Sequence, residues 1–149
     1  MMNITELEQL LVTQSVDFEI IQHSKPIKSR FDALCYFKLE EMAPTIIVKT
    51  DVGFYAVIIS GISENIDFEL IRKILDCKEV EMATKEDVIM HIGMKTGEVA
   101  LVGHNLPCLI DEKIHRVEYI FGGTGNARHT LKIRPMDLEK VNQVVGRFN

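Results

Sequence analysis

The sequence predicts an α+β fold in which a mixed, largely antiparallel, barrel-like sheet is flanked by helices. Strand-like and helix-like segments follow one another without a regular βαβ alternation, which is typical of this class. Two apolar runs are separated by Thr50-Asp51-Val52-Gly53, a hairpin signal with a glycine available for positive φ. The 149 residues, 46% apolar and 26% charged, are ordinary for one globular domain, so we expect a single domain over residues 1–149.

Helices are predicted from capping residues that precede apolar residues at helical spacing. Asn3 followed three positions later by Glu6 predicts a capping box and a helix over about residues 4–14. The other helices are expected to begin after Ser29 (to about residue 39), after Asp67 (FELIRKIL), near Thr84, and at Pro135 (through MDLEKVNQVV, to residue 145).

Strands are predicted where short apolar or β-branched runs are bounded by turn residues. The runs cover residues 17–23, 45–48, 54–59, 78–82, 98–102, 107–111, 116–121 and 127–133.

The charge balance limits the classes of partner. Seventeen basic against twenty-two acidic residues leave a net charge of −5, which disfavours non-specific coating of DNA or RNA. A short single-stranded end held by a local basic patch is compatible with this balance. No apolar run approaches the roughly 20 residues of a membrane span, and the first residues lack signal-peptide features, so no membrane partner is expected.

The cysteines and histidines predict neither disulfides nor a metal site. Cys35, Cys77 and Cys108 are widely separated and odd in number, which favours a reducing cytoplasm. His91, His104 and His115 have no metal-ligand spacing, so we expect no metal and no cofactor.

The segment FGGTGNARHT, residues 121–130, is the densest in glycine. It lacks the third glycine of the dinucleotide fingerprint and the Gly-Lys-Ser/Thr ending of the P-loop, and a strand follows it instead of a helix. A phosphate loop, a glycine-rich wall that a ligand approaches, and a plain hairpin turn are the three interpretations.

The strand after this segment carries a candidate basic surface. Alternation places Arg128, Thr130, Lys132 and Arg134 on one face, where they could meet phosphates or simply be solvated. His129 points the other way, either into the core or towards a pocket. His23 precedes the turn Ser24-Lys25-Pro26 and could line a cleft or lie in a surface loop.

Lys49, at the end of the strand in MAPTIIVKT, is either an active-site amine or a solvated strand end. An ammonium needs water or a partner, which favours the solvated position.

From Asp17 to Val145 the order of these motifs resembles the YbaK family of aminoacyl-tRNA deacylases, also called the prolyl-tRNA-synthetase editing-domain family. The matching segments are DFEIIQH, PTIIVKTDVGFYAVIISG, IDFELIRKIL, KEVEMATKEDV, GEVALVG, LPCLIDEKI and FGGTGNARHTLKIRPMDLEKV.

The resemblance implies a YbaK-like α+β fold and hydrolysis of the ester that joins a wrong amino acid to tRNA. The implied partners are the aminoacyl 3′ end of tRNA and an aminoacyl-tRNA synthetase. The implied substrate-binding residues are His23, Thr45, Gly97, Glu98, Val99, Gly103, Gly122, Gly123, Gly125, Asn126 and His129. The implied phosphate contacts are Lys25, Arg128 and Lys132.

Two positions depart from the family pattern. Pro44 stands where the family has its lysine, and Leu101 stands where the Gly-x-x-x-Pro loop that begins at Gly97 has its proline. Lys49 lies five residues beyond Pro44 and therefore points to the other face, so Lys25 is the better substitute amine. The sequence predicts an editing deacylase, and the alternative is a relative that binds aminoacyl-tRNA or a synthetase without hydrolysis.

Overall fold

The computed structural model describes residues 2–63 and 65–149. Its helices are α1 (Ile4–Thr13), α2 (Arg30–Leu34), α3 (Phe68–Leu75), α4 (Lys85–Ile92) and α5 (Pro135–Lys140). Its strands are β1 (Phe18–Gln22), β2 (Thr45–Thr50), β3 (Gly53–Ile58), β4 (Val80–Met82), β5 (Pro107–Asp111), β6 (Ile120–Gly123), β7 (His129–Ile133) and β8 (Gln143–Phe148). Leu39–Glu41 and Glu112–Arg116 form 3-10 turns.

The strands form two sheets. The larger has the order β4-β2-β3-β5-β8, with β4, β2 and β3 antiparallel and with β5 parallel to both β3 and β8. The smaller is an antiparallel sheet of order β1-β7-β6. The α+β class with a mixed, largely antiparallel sheet is confirmed, but the sheets are not closed into a barrel.

Both faces of the larger sheet are buried. Ile47 and Ile58 belong to the main apolar cluster on one face, whereas Val48 and Val57 pack with Ile71 of α3 on the other. Successive side chains of a strand point to opposite faces, so β2 and β3 contribute to both layers. This explains why TIIV and AVII read as nearly continuous apolar runs.

The two sheets meet along a backbone seam, formed by Gly122–Gly123 of β6 against residues 42–43 and 99–101. The Ala43 N–H donates to the Phe121 carbonyl at 2.9 Å, and the Leu101 N–H donates to the Gly123 carbonyl at 2.9 Å. A Cβ on Gly123 would lie 2.3 Å from the Val99 oxygen, closer than any real contact. The seam therefore needs glycine because another backbone occupies the space of a side chain.

The prediction for the C-terminal segment was wrong after Lys140. α5 ends there, and residues 143–148 form the edge strand β8 instead of continuing the helix. The Asn142 side chain donates to the carbonyls of Leu138 and Leu101, which closes the helix end. The segment that follows pairs with the buried β5 through Val144 and Gly146, and the register shifts so that Val145 has no partner on β5.

Three other boundaries differ from the predictions. Residues 98–102 are not a regular strand, because Ala100 alone bridges to Gly123. α2 ends at Leu34 instead of near residue 39, and β6 begins at Ile120 after the second 3-10 turn. These short segments are shaped by contacts with distant residues, which local propensity does not encode.

Replacing Gly123 by alanine tests the seam. Because the added methyl group would clash with the Val99 backbone, we expect the free energy of unfolding to decrease. The decrease should lie at the upper end of the roughly 1–3 kcal/mol typical of overpacking. Urea unfolding followed by circular dichroism measures it. Gly146→Ala is the matched control, because its methyl group meets only side-chain carbons of Ile74 and Leu109. Equal losses at the two positions would contradict the seam.

His104 is a buried histidine in the loop before β5. Its Nδ1 accepts from the Leu106 N–H at 3.1 Å, and its Nε2 has no partner among the described residues. Burial disfavours the charged ring and lowers the pKa of His104 from 6.5 to about 4.

We expect this group to make folding sensitive to mild acid. Between pH 6.5 and 4 the His104 ring binds a proton in the unfolded chain but stays neutral in the folded protein. The free energy of unfolding is therefore unaffected by this group above pH 6.5 and decreases as the pH falls below it. Between pH 6.5 and 4.5 the free energy of unfolding, measured in urea, should decrease by about 2 kcal/mol less in His104→Asn than in wild type. The exposed His91→Asn is the control. Identical pH profiles for wild type and His104→Asn would refute this assignment.

Candidate functional site

A cavity of about 290 Å³ lies at the seam between the two sheets. Its wall comes from five parts of the chain: the α2 region, the segment around Pro44, the loop after β3, the segment Gly97–Glu98, and the glycine-rich strand β6 with the turn that follows it and the start of β7. The lining side chains that carry charge, polarity or an aromatic ring are Ser29, Arg30, Phe37, Ser60, Ser63, Asn65, Glu98, Phe121, Asn126, His129 and Thr130.

The apolar side of the cavity is built around two stacked phenylalanines. The rings of Phe37 and Phe121 lie 4.4 Å apart between centroids and 20° from parallel. Met42, Ala43 and Ile59 are among the other apolar residues of the wall. A flat, apolar and partly aromatic wall of this kind suits an uncharged planar or aliphatic ligand group.

The loop after β3 contributes Ser60 and Ser63 to the wall, and a buried carboxylate holds this loop in place. Oδ2 of Asp111 accepts from the Ser60 N–H at 2.9 Å and from the Ser63 hydroxyl at 2.6 Å. The second oxygen accepts from the Lys113 N–H and the Asn149 side chain. Asp111 is fully buried at the end of β5, so the core of the larger sheet positions the loop.

Two charged side chains of opposite sign reach the cavity wall. Arg30, the first residue of α2, donates from Nη2 to the Gly61 carbonyl at 3.0 Å. Glu98 is partly buried on the segment 97–101. Among the described lining residues these are the single cation and the single carboxylate.

Seven residues predicted from the sequence line this cavity. They are Pro44, Gly97, Glu98, Gly122, Gly123, Asn126 and His129. Pro44 is exposed, and its carbonyl accepts from the Ile59 N–H at 3.0 Å, which places it directly before the β2–β3 ladder. The position of the family lysine is thus part of the wall, but proline brings no donor to it.

His23 and Thr45 do not line the cavity. The Nδ1 of His23 is 2.6 Å from the Lys25 carbonyl, and its Nε2 is 3.1 Å from the Thr130 hydroxyl. A carbonyl can only accept, so Nδ1 carries the proton and Nε2 accepts from Thr130. The Thr45 hydroxyl is buried without a partner among the described residues. His23 acts as a satisfied internal residue behind Thr130, which is itself part of the wall.

Val99, Gly103 and Gly125 also lie off this wall. Val99 is buried at the seam, with its carbonyl against Gly123. Gly103 adopts φ +89° beside the Met2 side chain, and Gly125 adopts φ +89° in the β6–β7 turn. Leu101, where the family has proline, is fully buried and packs against Gly122. The glycine-rich segment therefore combines a close backbone approach with a turn.

A second, open depression of about 510 Å³ adjoins the first cavity. The two share Glu98, Asn126 and Ala127. Three cations lie around the second depression, namely Lys28, Lys95 and Arg128, and Gly125 belongs to it as well. The Arg128 guanidinium donates to the Ser24 carbonyl, which holds this side chain over the turn before α2.

The remaining predicted cations lie elsewhere. Lys132 sits 4.5 Å above the Tyr119 ring and 4.0 Å from the Glu19 carboxylate. Arg134 stacks on the same ring and pairs with Glu118 and Asp17. This part of the basic stripe is therefore neutralised within the fold. Lys25 is exposed and lines neither depression.

Sequence reasoning missed the residues contributed by the α2 region and the loop after β3. Arg30 and Ala33 lie three residues apart on one face of α2 and both line the cavity, together with the N-cap Ser29 and with Phe37 beyond the helix end. A helical projection of residues 30–34 would have placed Arg30 and Ala33 together. Nothing in the sequence indicated that this face meets Ser60 and Ser63.

Within residues 2–63 and 65–149 no group of three His, Cys, Asp or Glu side chains could hold a metal ion. None of the helices in the described part of the chain has the length and apolar character needed to cross a membrane.

The chain matches the family model of the aminoacyl-tRNA editing domain over residues 29–141. The match covers most of the sequence and includes all the residues that line the main cavity except Ile27. The chain therefore belongs to the aminoacyl-tRNA editing domain family, and the resemblance to the YbaK family is confirmed. No curated protein sequence matches the chain significantly.

Two solved structures share the fold over nearly the whole chain. The hypothetical protein APE2540 is 22% identical, with a TM-score of 0.83, and the match covers 95% of this chain and 96% of that one. A candidate trans-editing enzyme for prolyl-tRNA synthetase is 20% identical, with a TM-score of 0.79 and coverage of 93% and 91%. At these identities the likeness concerns the fold alone.

Proposed function

We propose that this protein edits aminoacyl-tRNA by hydrolysing the ester of a mischarged tRNA. The observation that carries the proposal is the composition of the cavity: Pro44, Gly97–Glu98 and Gly122–Gly123, which are far apart in sequence, meet around one space. These are the same positions that the family motifs mark. A cavity of about 290 Å³ matches a single aminoacyl group far better than a folded nucleic acid.

In the proposed reaction, water attacks the carbonyl carbon of the ester and the bond to the ribose oxygen breaks. The ribose oxygen takes a proton, and the products are the free amino acid and an uncharged tRNA. The Glu98 N–H already donates to the Lys95 carbonyl at 2.9 Å. The N–H group of Gly97, which lines the cavity, has no backbone partner among the described residues, and it is the donor we assign to the substrate.

Glu98 has a role that its charge defines. The α-amino group of an aminoacyl ester is cationic when protonated, and Glu98 is the carboxylate of the described cavity wall. We assign Glu98 to this ammonium, which would orient the carbonyl group towards the seam. The stacked Phe37 and Phe121 then face the uncharged part of the substrate.

The RNA side of the substrate belongs to the adjoining depression. A tRNA acceptor ends in a single strand whose phosphates follow one another at short intervals. The Lys28, Lys95 and Arg128 side chains surround the depression next to the amino-acid cavity. We assign Lys28 and Lys95 to these phosphates beside Arg128, while Lys25 stays a prediction as an outer contact.

The second candidate function is binding without hydrolysis. It is favoured by Pro44, which places a ring without any donor at the wall position where the family has its lysine. A relative of this kind would hold an aminoacyl-tRNA or a synthetase and release nothing.

Deacylation of mischarged tRNA is the direct test. We expect purified protein to release amino acid from at least one of the alanyl, cysteinyl and seryl esters faster than buffer alone. Pro44→Lys should raise the rate by about 10²–10³, the usual value of one transition-state donor, because residue 44 lies on the cavity wall. Release of labelled amino acid from tRNA measures both.

Val52→Lys serves as a control for a positive charge added outside the cavity, since Val52 is exposed in the β2–β3 turn and absent from the wall. Release at the buffer rate by wild type would reject hydrolysis, whatever the rate of Pro44→Lys. Tight binding of the same tRNAs under those conditions would select the binding function instead.

The phosphate assignment predicts a change in salt dependence. The plot of log K against log salt has a negative slope, to which each phosphate contact on a single strand contributes about 0.7. Replacing both Lys28 and Lys95 by glutamine should therefore make this slope less steep by about 1.4. Binding of a deacylated acceptor minihelix, titrated at several salt concentrations, measures the slope. Replacing Lys49 and Lys73 by glutamine removes the same charge from exposed sites outside both depressions. Equal slopes for the two double variants would contradict the assignment.

A further inference from the structure

The cavity contains a cation that the family pattern does not call for. Pro44 offers neither a side-chain donor nor an N–H, yet the described cavity wall includes one guanidinium, that of Arg30. Hydrolysis of an ester transfers negative charge to the carbonyl oxygen. A cation on the wall of a partly enclosed cavity is the strongest available partner for that charge.

The local structure holds Arg30 at the cavity. Ser29 caps α2 through its hydroxyl group, which accepts from the Asp32 N–H, so Arg30 starts the helix in a fixed orientation. Ala33, one helical turn later, also lines the cavity, and so does Phe37 beyond the end of α2. The Arg30 side chain is solvent-exposed at the cavity wall, where the Gly61 carbonyl holds its guanidinium group.

A backbone contact ties the guanidinium to the segment that contains Pro44. Arg30 Nη2 donates to the Gly61 carbonyl at 3.0 Å, and the Gly61 N–H donates to the Met42 carbonyl at 2.7 Å. A Cβ on Gly61 would lie 2.2 Å from the Leu39 carbonyl oxygen, so this loop fits closely against the strand entrance. The contact places the charge of Arg30 at the loop after β3. That loop is hydrogen-bonded in turn to the segment that contains Pro44.

We propose that Arg30 supplies the positive charge that stabilises the oxyanion of the ester in this protein, in place of an amine at position 44. The inference rests on the proposed function. A guanidinium stays protonated at any physiological pH, so Arg30 acts as a donor and not as a base. It has five N–H groups, of which Gly61 accepts one, and its planar fork can therefore hold the backbone and the substrate oxygen together.

In the step that Arg30 assists, the water oxygen forms a bond to the carbonyl carbon while the carbon–oxygen π bond opens onto the oxygen. Arg30 donates to this oxygen as it becomes anionic. The π bond then forms again, the bond to the ribose oxygen breaks, and the proton lost by water ends on that ribose oxygen. Arg30 neither gains nor loses a proton, and no further reactant is needed.

The experiment removes the positive charge at position 30 and adds one at position 44. Wild type, Arg30→Gln, Arg30→Lys, Pro44→Lys and the double variant Arg30→Gln/Pro44→Lys are compared in single-turnover deacylation of the best mischarged tRNA. A hydrolysis-resistant amide analogue of the aminoacyl adenosine reports ground-state affinity for each. Arg116→Gln, which removes an exposed arginine outside the cavity, is the matched control, and thermal unfolding checks that each variant folds.

Arg30→Gln should lower the single-turnover rate by about 10²–10³ with less than a three-fold change in analogue affinity, because the donor acts mainly in the transition state. Arg30→Lys should retain part of the rate. The double variant should be at least ten-fold faster than Arg30→Gln, because a lysine at position 44 reaches the same cavity.

Each other result overturns a defined statement. An unchanged rate in Arg30→Gln, equal losses of rate and affinity, or no recovery in a folded double variant each overturns the role of Arg30 alone. A wild type without turnover overturns the proposed hydrolysis and the role of Arg30 together, so the two failures are distinguishable.

Discussion

The close backbone contact between the two sheets is the constraint on which the rest of the structure depends. Gly122 and Gly123 allow β6 to approach residues 42–43 and 99–101 so closely that no side chain fits between them. Hydrogen bonds from Ala43 and Leu101 then join the sheets without a shared regular strand pair. Buried backbone N–H and C=O groups need hydrogen-bond partners, and the segment 99–101 is not part of a regular strand. The seam provides hydrogen-bond partners for this segment.

The same contact creates the cavity and sets its chemistry. By bringing the start of β2, the segment 97–101 and β6 together, the seam leaves a space that α2 and the loop after β3 enclose. That space holds Arg30 and Glu98 on its wall, and the adjoining depression is basic. A net negative protein thus presents local positive charge where an RNA end would enter, and a carboxylate where an ammonium would sit.

Prediction from the sequence succeeded where local interactions decide the structure. Asn3, Asp67 and Thr84 cap their helices, and the Thr50–Gly53 turn joins β2 to β3. It failed where a distant partner decides. The segment 143–148 has apolar spacing that also fits a helix, but the exposed edge of β5 recruits it as a strand. The candidate site was predicted in part: Gly97, Glu98, Gly122 and Gly123 converge, Gly103 and Gly125 lie off the wall, and Arg30 and the loop after β3 were missed.

By itself the sequence determined the α+β class, the family, the glycines of the seam and the absence of an amine at position 44. These properties depend on residue identity and on spacing along the chain. Only the tertiary structure decided which cation lines the cavity, because Arg30 meets Gly61 across 31 residues. Helical periodicity defines a face of α2 but not the partner of that face. The partner is chosen by the seam, through close packing that excludes every side chain larger than hydrogen.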